Sequence, residues 1–526
     1  MGASPPCYDS RVKTPRFPLA VVTLLLAGLA TPTPPAFARQ APAAPKPAWQ
    51  ASVEKTLDAP LFQHASVGVL VRSLDTGQVL YVRNPDLALM PASNQKILTG
   101  AVALAKLGAE FRYRTILSHT GSVDRDGTLN GDLYLKGSGD PSLDSERLLT
   151  MVRALKGKGI RKLNGRIVAD ASAFDARTLG SGWAWDNETY YYSAQVAGLN
   201  CDENVLLLEV RPGKNVGDRA TVVIGGPNAE KLGFAQSRYV AVTNEVRTVA
   251  AAESGSASVS AERVRGRNEV RLSGTMPVGA AQPQNVVVTV EDPALFAGTR
   301  LAELLPVGGV AVPSPDLLRV ETGVTPAEAV EIAVDESPAL PQLLKDFLKP
   351  SDNLYGEALL KTVGLKAEGK GTIAAGATAL RKLLTEAGID TGGLSVADGS
   401  GLSRMNTLTP RLVTDLLIHV WTKYPPADRD AYVAALPEAG VDGTLRSRMK
   451  QTAAAGKVYA KTGTLTRVSA LSGYLTAKSG ERIVFSIVMN HYGGSASAAR
   501  GAQDAIVLAL TEVPGTNKVS RSGDSR

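Results

Sequence analysis

Cysteine is close to absent: the 526 residues hold two, Cys7 and Cys201. Cys7 lies ahead of an apolar run near the N-terminus, so a chain trimmed after that run keeps one thiol and can form no internal disulfide. Stability then has to come from buried apolar surface. Histidine is also sparse. His64, His119, His419 and His491 are scattered, no His-Glu-x-x-His pair occurs, and no Gly-x-Ser-x-Gly elbow is present. Zinc-peptidase and α/β-hydrolase plans are thereby excluded, and neither a metal nor a cofactor is expected. Charge of one sign is not in strong excess either. A net +7 spread over 526 residues lacks the dense basic face of a nucleic-acid binder. Long hydrophobic runs are missing too. The apolar stretch from Phe17 to Ala30 falls short of the roughly 20 residues that cross a bilayer, and no later stretch supplies a span.

That short run has another use. Arg11, Lys13 and Arg16 precede it and Ala36-Phe37-Ala38 follows it with small residues at both cleavage-site positions, the pattern of a secretory signal peptide over residues 1–38. An uncleaved N-terminal anchor is the alternative, and a lipid anchor at Cys7 is unsupported because that cysteine precedes the run. Export to a periplasmic or other extracytoplasmic space is expected. Residues 39–48, rich in Pro and Ala, read as a tether.

The rest is long enough for two or more domains at about 100–200 residues each. Val67, Val69 and Val71 lead through Asp75-Thr76-Gly77 into Val79 to Val82, a hairpin pattern. A helix should open near Ala92-Ser93, carry Ile97, Leu98, Ala101, Val102 and Leu104 on one face, and stop at Gly108. The C-terminal part repeats this plan, with strands near Lys457 to Thr464, Ala470 to Ala477 and Arg482 to Met489 and a helix from about Ala496 to Glu512. An α/β (α+β) fold follows, its antiparallel sheet built from both ends of the chain and flanked by helices. The expected division is a first catalytic part at 49–112, β-rich insertions at 113–329 (two domains), a second catalytic part at 330–513, and a disordered tail at 514–526. Within the insertion, Gly131 to Leu135, Gly165 to Val168 and Asn285 to Val290 read as strands, and helical character returns at Ala339 to Leu348 and Leu354 to Val363.

Three short motifs occur in order: Ser93-Asn94-Gln95-Lys96, Ser351-Asp352-Asn353 and Lys461-Thr462-Gly463. Each alone is weak, since Ser-x-x-Lys recurs at Ser52 and at Ser447. Only Ser93 follows a strand, opens a long apolar helix and precedes the other two motifs. Residues i and i+3 share a helix face, so Lys96 can reach the Ser93 hydroxyl. A lysine can take that proton only when neutral, and burial together with repulsion from Lys461 would push it that way. Ser351 would pass a proton to a leaving amine and Asn353 would bind Lys96, although Ser351 or Asp352 could equally cap the next helix. On the third motif, Gly463 would let a substrate come close, Lys461 with the hydroxyls of Thr462 and Thr464 would hold a carboxylate, and the backbone N–H groups of Ser93 and Thr464 would stabilise an oxyanion.

This ordered set is a known signature of penicillin-binding proteins and class A β-lactamases. The chain resembles the D-alanyl-D-alanine carboxypeptidase/endopeptidase family, the class C low-molecular-mass penicillin-binding proteins of peptidase family S13. Ser351 stands 258 residues after Ser93, a gap too wide for a β-lactamase and one that in that family holds two inserted domains. The likeness extends to Gly137-Ser138-Gly139-Asp140-Pro141, to Asp398 through Arg404 and to Gly440 through Leu445. It implies a penicillin-recognising transpeptidase-like fold and a serine peptidase acting on peptidoglycan stem peptides, with β-lactams as covalent inhibitors. It further implies that Arg404, Asn187 and Tyr192 select the stem-peptide side chain, with Asn187 standing where such chains often carry an acid. The alternatives are a β-lactamase, which would need a deacylating glutamate that no Glu-x-x-Leu-Asn segment after Ser351 supplies, and a non-enzymatic wall-binding or sensor protein.

Overall fold

Strands from the two ends of the chain share one sheet. In the computed structural model, which describes residues 46–225, 237–251, 257–312 and 318–516, the order is Val458–Leu465, Val468–Thr476, Arg482–Asn490, Ser66–Ser73, Val79–Arg83, with every neighbour antiparallel. The expected leader 1–38, the tether up to residue 45 and the tail beyond 516 lie outside the described residues; Ala48 already belongs to a helix, Ala48–Leu57.

The two central strands are buried along almost their whole length, which requires cover on both faces. Alternation assigns the side chains. Leu471, Leu475, Ile483, Phe485 and Ile487 join Val67, Val69 and Val71 under the helices Ala48–Leu57 and Ala496–Leu510. Ala470, Tyr474, Val484 and Val488 point the other way, into a core shared with the helix Gln95–Leu107. Gly108, at φ +81°, ends that helix and gives its N–H to the Leu104 carbonyl at 3.1 Å.

Around Gln95–Leu107 pack the helices Leu340–Leu348, Asn353–Glu368, Ile373–Glu386, Pro410–Lys423 and Pro426–Ala435. Two tyrosines pin it from outside: the hydroxyls of Tyr432 and Tyr424 donate to the carbonyls of Ile97 (2.8 Å) and Ala101 (2.9 Å). The helix that carries Lys96 is thus held on all sides.

Between the first and second motifs lie two further cores. One sheet runs Val320–Thr322, Ile167–Asp170, Leu133–Lys136, Arg114–His119, Val330–Glu336. The expected boundary at 329 cuts this sheet, because Val330–Glu336 pairs antiparallel with Arg114–His119. The other core joins the sheet Thr221–Gly225, Val205–Arg211, Gln284–Thr289 with strands laid on Glu269–Pro277. The segment is also more helical than a β-rich reading suggests. Ser145–Gly157 buries Leu148, Leu149, Val152 and Leu155 on the first sheet, and Pro293–Val307 serves both cores, giving Phe296 to one and Ala297, Leu301 and Leu304 to the other.

Phe347 is fully buried where Leu340–Leu348 meets the catalytic helices. Phe347→Ala should therefore cost about 3–5 kcal/mol, read as a lowered denaturant midpoint with an unchanged slope.

Candidate active site

Ser93 sits in a single 3₁₀ turn, Ala92–Asn94, that runs directly into the helix Gln95–Leu107. Ala92 holds φ at +47°, a left-handed conformation that is costly for a residue with a Cβ and is kept only where neighbours impose it. Two glycines let neighbouring elements close on this turn. A Cβ on Gly401 would stand 1.9 Å from the Ala92 carbonyl oxygen, and one on Gly463 would stand 2.6 Å from that of Pro91. Beneath the turn the Asn94 amide donates to Ser472 Oγ at 2.7 Å, which donates to Ser486 Oγ at 2.9 Å. The serine is fixed from below by polar contacts inside an otherwise apolar sheet face.

Lys96 is fully buried. Its Nζ lies 3.2 Å from Ser93 Oγ, 2.5 Å from Asn353 Oδ1 and 2.7 Å from the Ser400 carbonyl oxygen. Burial depresses it to about 8, with Asp352, Asp398 and Glu357 opposing the shift by their charges. The repulsion expected from Lys461 acts chiefly in the other direction: Lys461, also fully buried, is pushed well down first by desolvation and then by Lys96. Its Nζ donates to Ser351 Oγ at 2.8 Å and to the Thr462 carbonyl at 3.1 Å.

The Ser-Asp-Asn segment divides its labour. Asp352 caps Asn353–Glu368 by accepting the Tyr355 N–H at 3.0 Å, while Ser351, at φ +71°, and Asn353 face the cleft. Capping and a cleft position therefore coexist, on different residues. The Asn353 amide gives its N–H to the Tyr192 carbonyl at 2.7 Å, which ties the aromatic segment to the site through its backbone.

The cleft holds about 420 Å³ and is lined by Ser93, Ser351, Asn353, Thr462, Thr464, Arg404, Asn187 and Tyr192. Lys96 and Lys461 lie beneath its surface. Gly463 is not on the wall. Its missing side chain makes room for the serine turn rather than for a substrate, a different physical need from the one its motif suggests. Thr462 Oγ1 lies 2.7 Å from Thr444 Oγ1. Arg404 is exposed and donates to the Thr466 carbonyl at 3.1 Å. Asn187 Oδ1 accepts the Tyr192 hydroxyl at 3.3 Å, and the Tyr192 ring stacks on Tyr190 with centroids 5.5 Å apart. None of the four histidines lines the cleft.

Several residues that matter here stand outside the three motifs. Glu357, one helical turn after Asn353, is buried and accepts the N–H groups of Gly399 (3.0 Å) and Ser400 (2.9 Å), which turns the Ser400 carbonyl onto Lys96. Asp398 secures the same loop, accepting from Gly401 N–H at 2.7 Å, Ser403 N–H at 2.6 Å and the Trp183 indole at 2.9 Å. Thr444 lines the cleft beside Thr462. A carboxylate four residues beyond Asn353 on an apolar helix was the available signal for Glu357.

Known proteins resemble this chain over most of its length. The profile of the D-Ala-D-Ala carboxypeptidase 3 (S13) family matches residues 49–513. A D-alanyl-D-alanine carboxypeptidase of Actinomadura sp. (strain R39) is 37% identical over 477 residues, covering 88% of this chain and 84% of its own. D-alanyl-D-alanine carboxypeptidase DacB of Haemophilus influenzae is 28% identical, covering 81% and 86%. The crystal structure of penicillin binding protein 4 (dacB) from Haemophilus influenzae superposes with a TM-score of 0.74 at 26% identity, covering 88% of this chain and 98% of that one. The same protein complexed with a β-lactam gives 0.68, covering 86% and 98%.

Gly401 lies at φ +86° with no room for a methyl group. Gly401→Ala should lower stability by more than about 1 kcal/mol and displace the turn bearing Ser93. Thermal denaturation and the rate of Ser93 modification by a serine-directed acylating probe should both report the change, while Gly480→Ala, a positive-φ glycine in open space, should leave that rate intact.

Proposed function

The chain belongs to the D-Ala-D-Ala carboxypeptidase 3 (S13) family, and from that premise we propose that it works through an acyl-enzyme on Ser93, formed on peptidoglycan stem peptides and on penicillins alike. It is a serine-type D-Ala-D-Ala carboxypeptidase. The observation that carries the mechanism is Lys96: a buried amine 3.2 Å from the serine oxygen and depressed to about 8.

In its neutral form Lys96 takes the Ser93 proton as Oγ attacks the carbonyl carbon of the penultimate D-alanine. The oxygen that gains charge is held by the N–H groups of Ser93 and Thr464, each such donor being worth about 10²–10³ in rate. Ser351 hands its proton to the nitrogen of the leaving D-alanine and is resupplied from Lys461, whose Nζ touches it. The C–N bond then breaks. The proton held by Lys96 passes through Ser351 to replace the one Lys461 gave, so Lys96 is neutral again. It then takes a proton from a water that attacks the ester carbonyl and returns that proton to Ser93 Oγ as the ester C–O bond breaks. Lys461, Thr462 and Thr464 receive the substrate's terminal carboxylate, whose negative charge restores the proton that burial disfavours on Lys461. Arg404, Asn187 and Tyr192 form the wall met by the side chain of the stem-peptide diamino acid.

The β-lactamase alternative is disfavoured by the carboxylates. Among the described residues no Asp or Glu lines the cleft. Asp352, Asp398 and Glu357 lie nearby, but each accepts backbone N–H groups. A penicilloyl ester would therefore have Lys96 but no added carboxylate to activate water, unlike the β-lactamase plan, and should persist. Cleavage of cross-links, in which another residue replaces the leaving D-alanine, uses the same steps, and we extend the proposal to it. Export by the 1–38 leader and work in the extracytoplasmic wall space complete it.

Two outcomes check this reading. Ser93→Ala should abolish D-alanine release from defined monomeric and cross-linked muropeptides by at least about a thousandfold and remove the labelled-penicillin adduct in mass spectrometry; penicillin hydrolysis faster than D-alanine release would favour the β-lactamase instead. The rate constant kcat/KM should rise with pH and level off near pH 8, because Lys96 acts unprotonated: below its pKa the free-amine fraction falls about tenfold per pH unit. A flat profile from pH 6 to 9 would remove Lys96 as the base.

A further inference from the structure

A short stretch of chain stands between the inserted region and the catalytic cleft. Asn187, Tyr191 and Tyr192 line the cleft, yet the stretch that carries them has little structure of its own. It holds two single 3₁₀ turns, Trp185–Asn187 and Tyr191–Ser193, and its Trp185, Tyr190 and Tyr191 side chains are exposed. A segment of that kind takes its shape from whatever holds it. Its two ends are held from the catalytic part: the Trp183 indole donates to Asp398 at 2.9 Å and the Asn353 amide to the Tyr192 carbonyl at 2.7 Å.

The middle is held from the other side. Thr289, the last residue of the strand Gln284–Thr289, gives its N–H to the Thr189 carbonyl at 3.1 Å and its hydroxyl to the Glu188 carbonyl. Arg263, the last residue of the strand Ser258–Arg263, gives its N–H to Thr189 Oγ1 at 3.0 Å. Both strands pack on the inserted core that contains Phe296.

The Arg263 side chain is 1% exposed, and a guanidinium so far out of water needs carboxylates to face it. Glu291, from the inserted region itself, meets it at 2.6 Å, and Glu188 stands 3.6 Å away. The exposed Arg265 lies 3.6 Å from the other Glu188 oxygen. Because Glu291 already neutralises Arg263 at contact distance, Glu188 adds little to the balance of charge. What the pairing with Glu188 adds is a fixed place for the backbone next to Asn187.

We propose that Arg263 and Thr289 position the wall bearing Asn187 and Tyr192, so that the inserted region sets how well the enzyme distinguishes the side chain of the stem-peptide diamino acid. The inference rests on the reading that this wall meets that side chain. Neither Arg263 nor Thr289 lines the cleft; both are positioning residues that act through Glu188 and Thr189. The Tyr192 carbonyl is tied separately to Asn353, so the effect falls on recognition rather than on the chemical step.

The test compares two peptides ending in D-alanyl-D-alanine, one with a diamino acid and one with alanine at the residue before that end. Each is assayed with the full chain as wild type, Arg263→Met and Thr289→Val. In both variants KM for the diamino peptide should rise about tenfold with kcat changed less than about twofold. The alanine peptide and the rate of Ser93 acylation by labelled penicillin should stay within about twofold, so the ratio of the two kcat/KM values falls about tenfold. Cooperative melting confirms folding; should Arg263→Met fail to fold, the isosteric Thr289→Val decides alone. Equal losses for both peptides would mark a general loosening and overturn the proposal. A preference for the diamino peptide that survives in the folded variants would overturn it while leaving the wall reading intact. A wild type with no such preference would overturn the wall reading and this inference with it.

Discussion

Two lysine side chains are taken wholly out of water in one site, and most of the surrounding architecture serves that fact. An ammonium buried without a partner is expensive enough that the group sheds its proton instead. The structure exploits this without going to the extreme. Lys96 has a serine hydroxyl, an amide oxygen and a carbonyl oxygen around it, which accept from either of its protonation states, and its carboxylate neighbours act only across a distance. A carboxylate in contact would hold the proton and weaken the base, whereas those at a distance only oppose the depression that burial imposes. Lys461 lies further toward neutrality, ready to be recharged by an anion.

Positioning falls to groups that never face the cleft. Glu357 and Asp398 spend their oxygens on the backbone of the 398–406 loop, and the carbonyl this presents to Lys96 is as much part of the base as the lysine itself. Gly401 from that loop and Gly463 from the sheet press on the Ser93 turn from two elements distant in sequence. Serine, base and proton relay are thus brought into register by elements on both sides of the insertion.

How much of this was legible follows from where the information resides. The three motifs, the hairpin and the mixed-end sheet were readable because each is a local pattern with its own periodicity or turn chemistry. Lys96 meeting Ser93 needed only helical spacing. The role of Ser400 was not readable, since it acts through a carbonyl that any residue possesses, oriented by a glutamate 43 positions away. The motif points Gly463 toward the substrate, whereas its constraint comes from a turn at Pro91. The helices Ser145–Gly157 and Pro293–Val307 were hidden among strand-like runs broken by Gly and Pro, although their apolar spacing was present in the chain.

The mechanism depends on the protonation of one amine. Nitrogen NMR of Lys96 Nζ in selectively labelled, unliganded protein, assigned by comparison with Lys96→Arg, should show titration centred near pH 8. A Lys96 that remains an ammonium beyond pH 10, as a solvent-exposed lysine does, would contradict it.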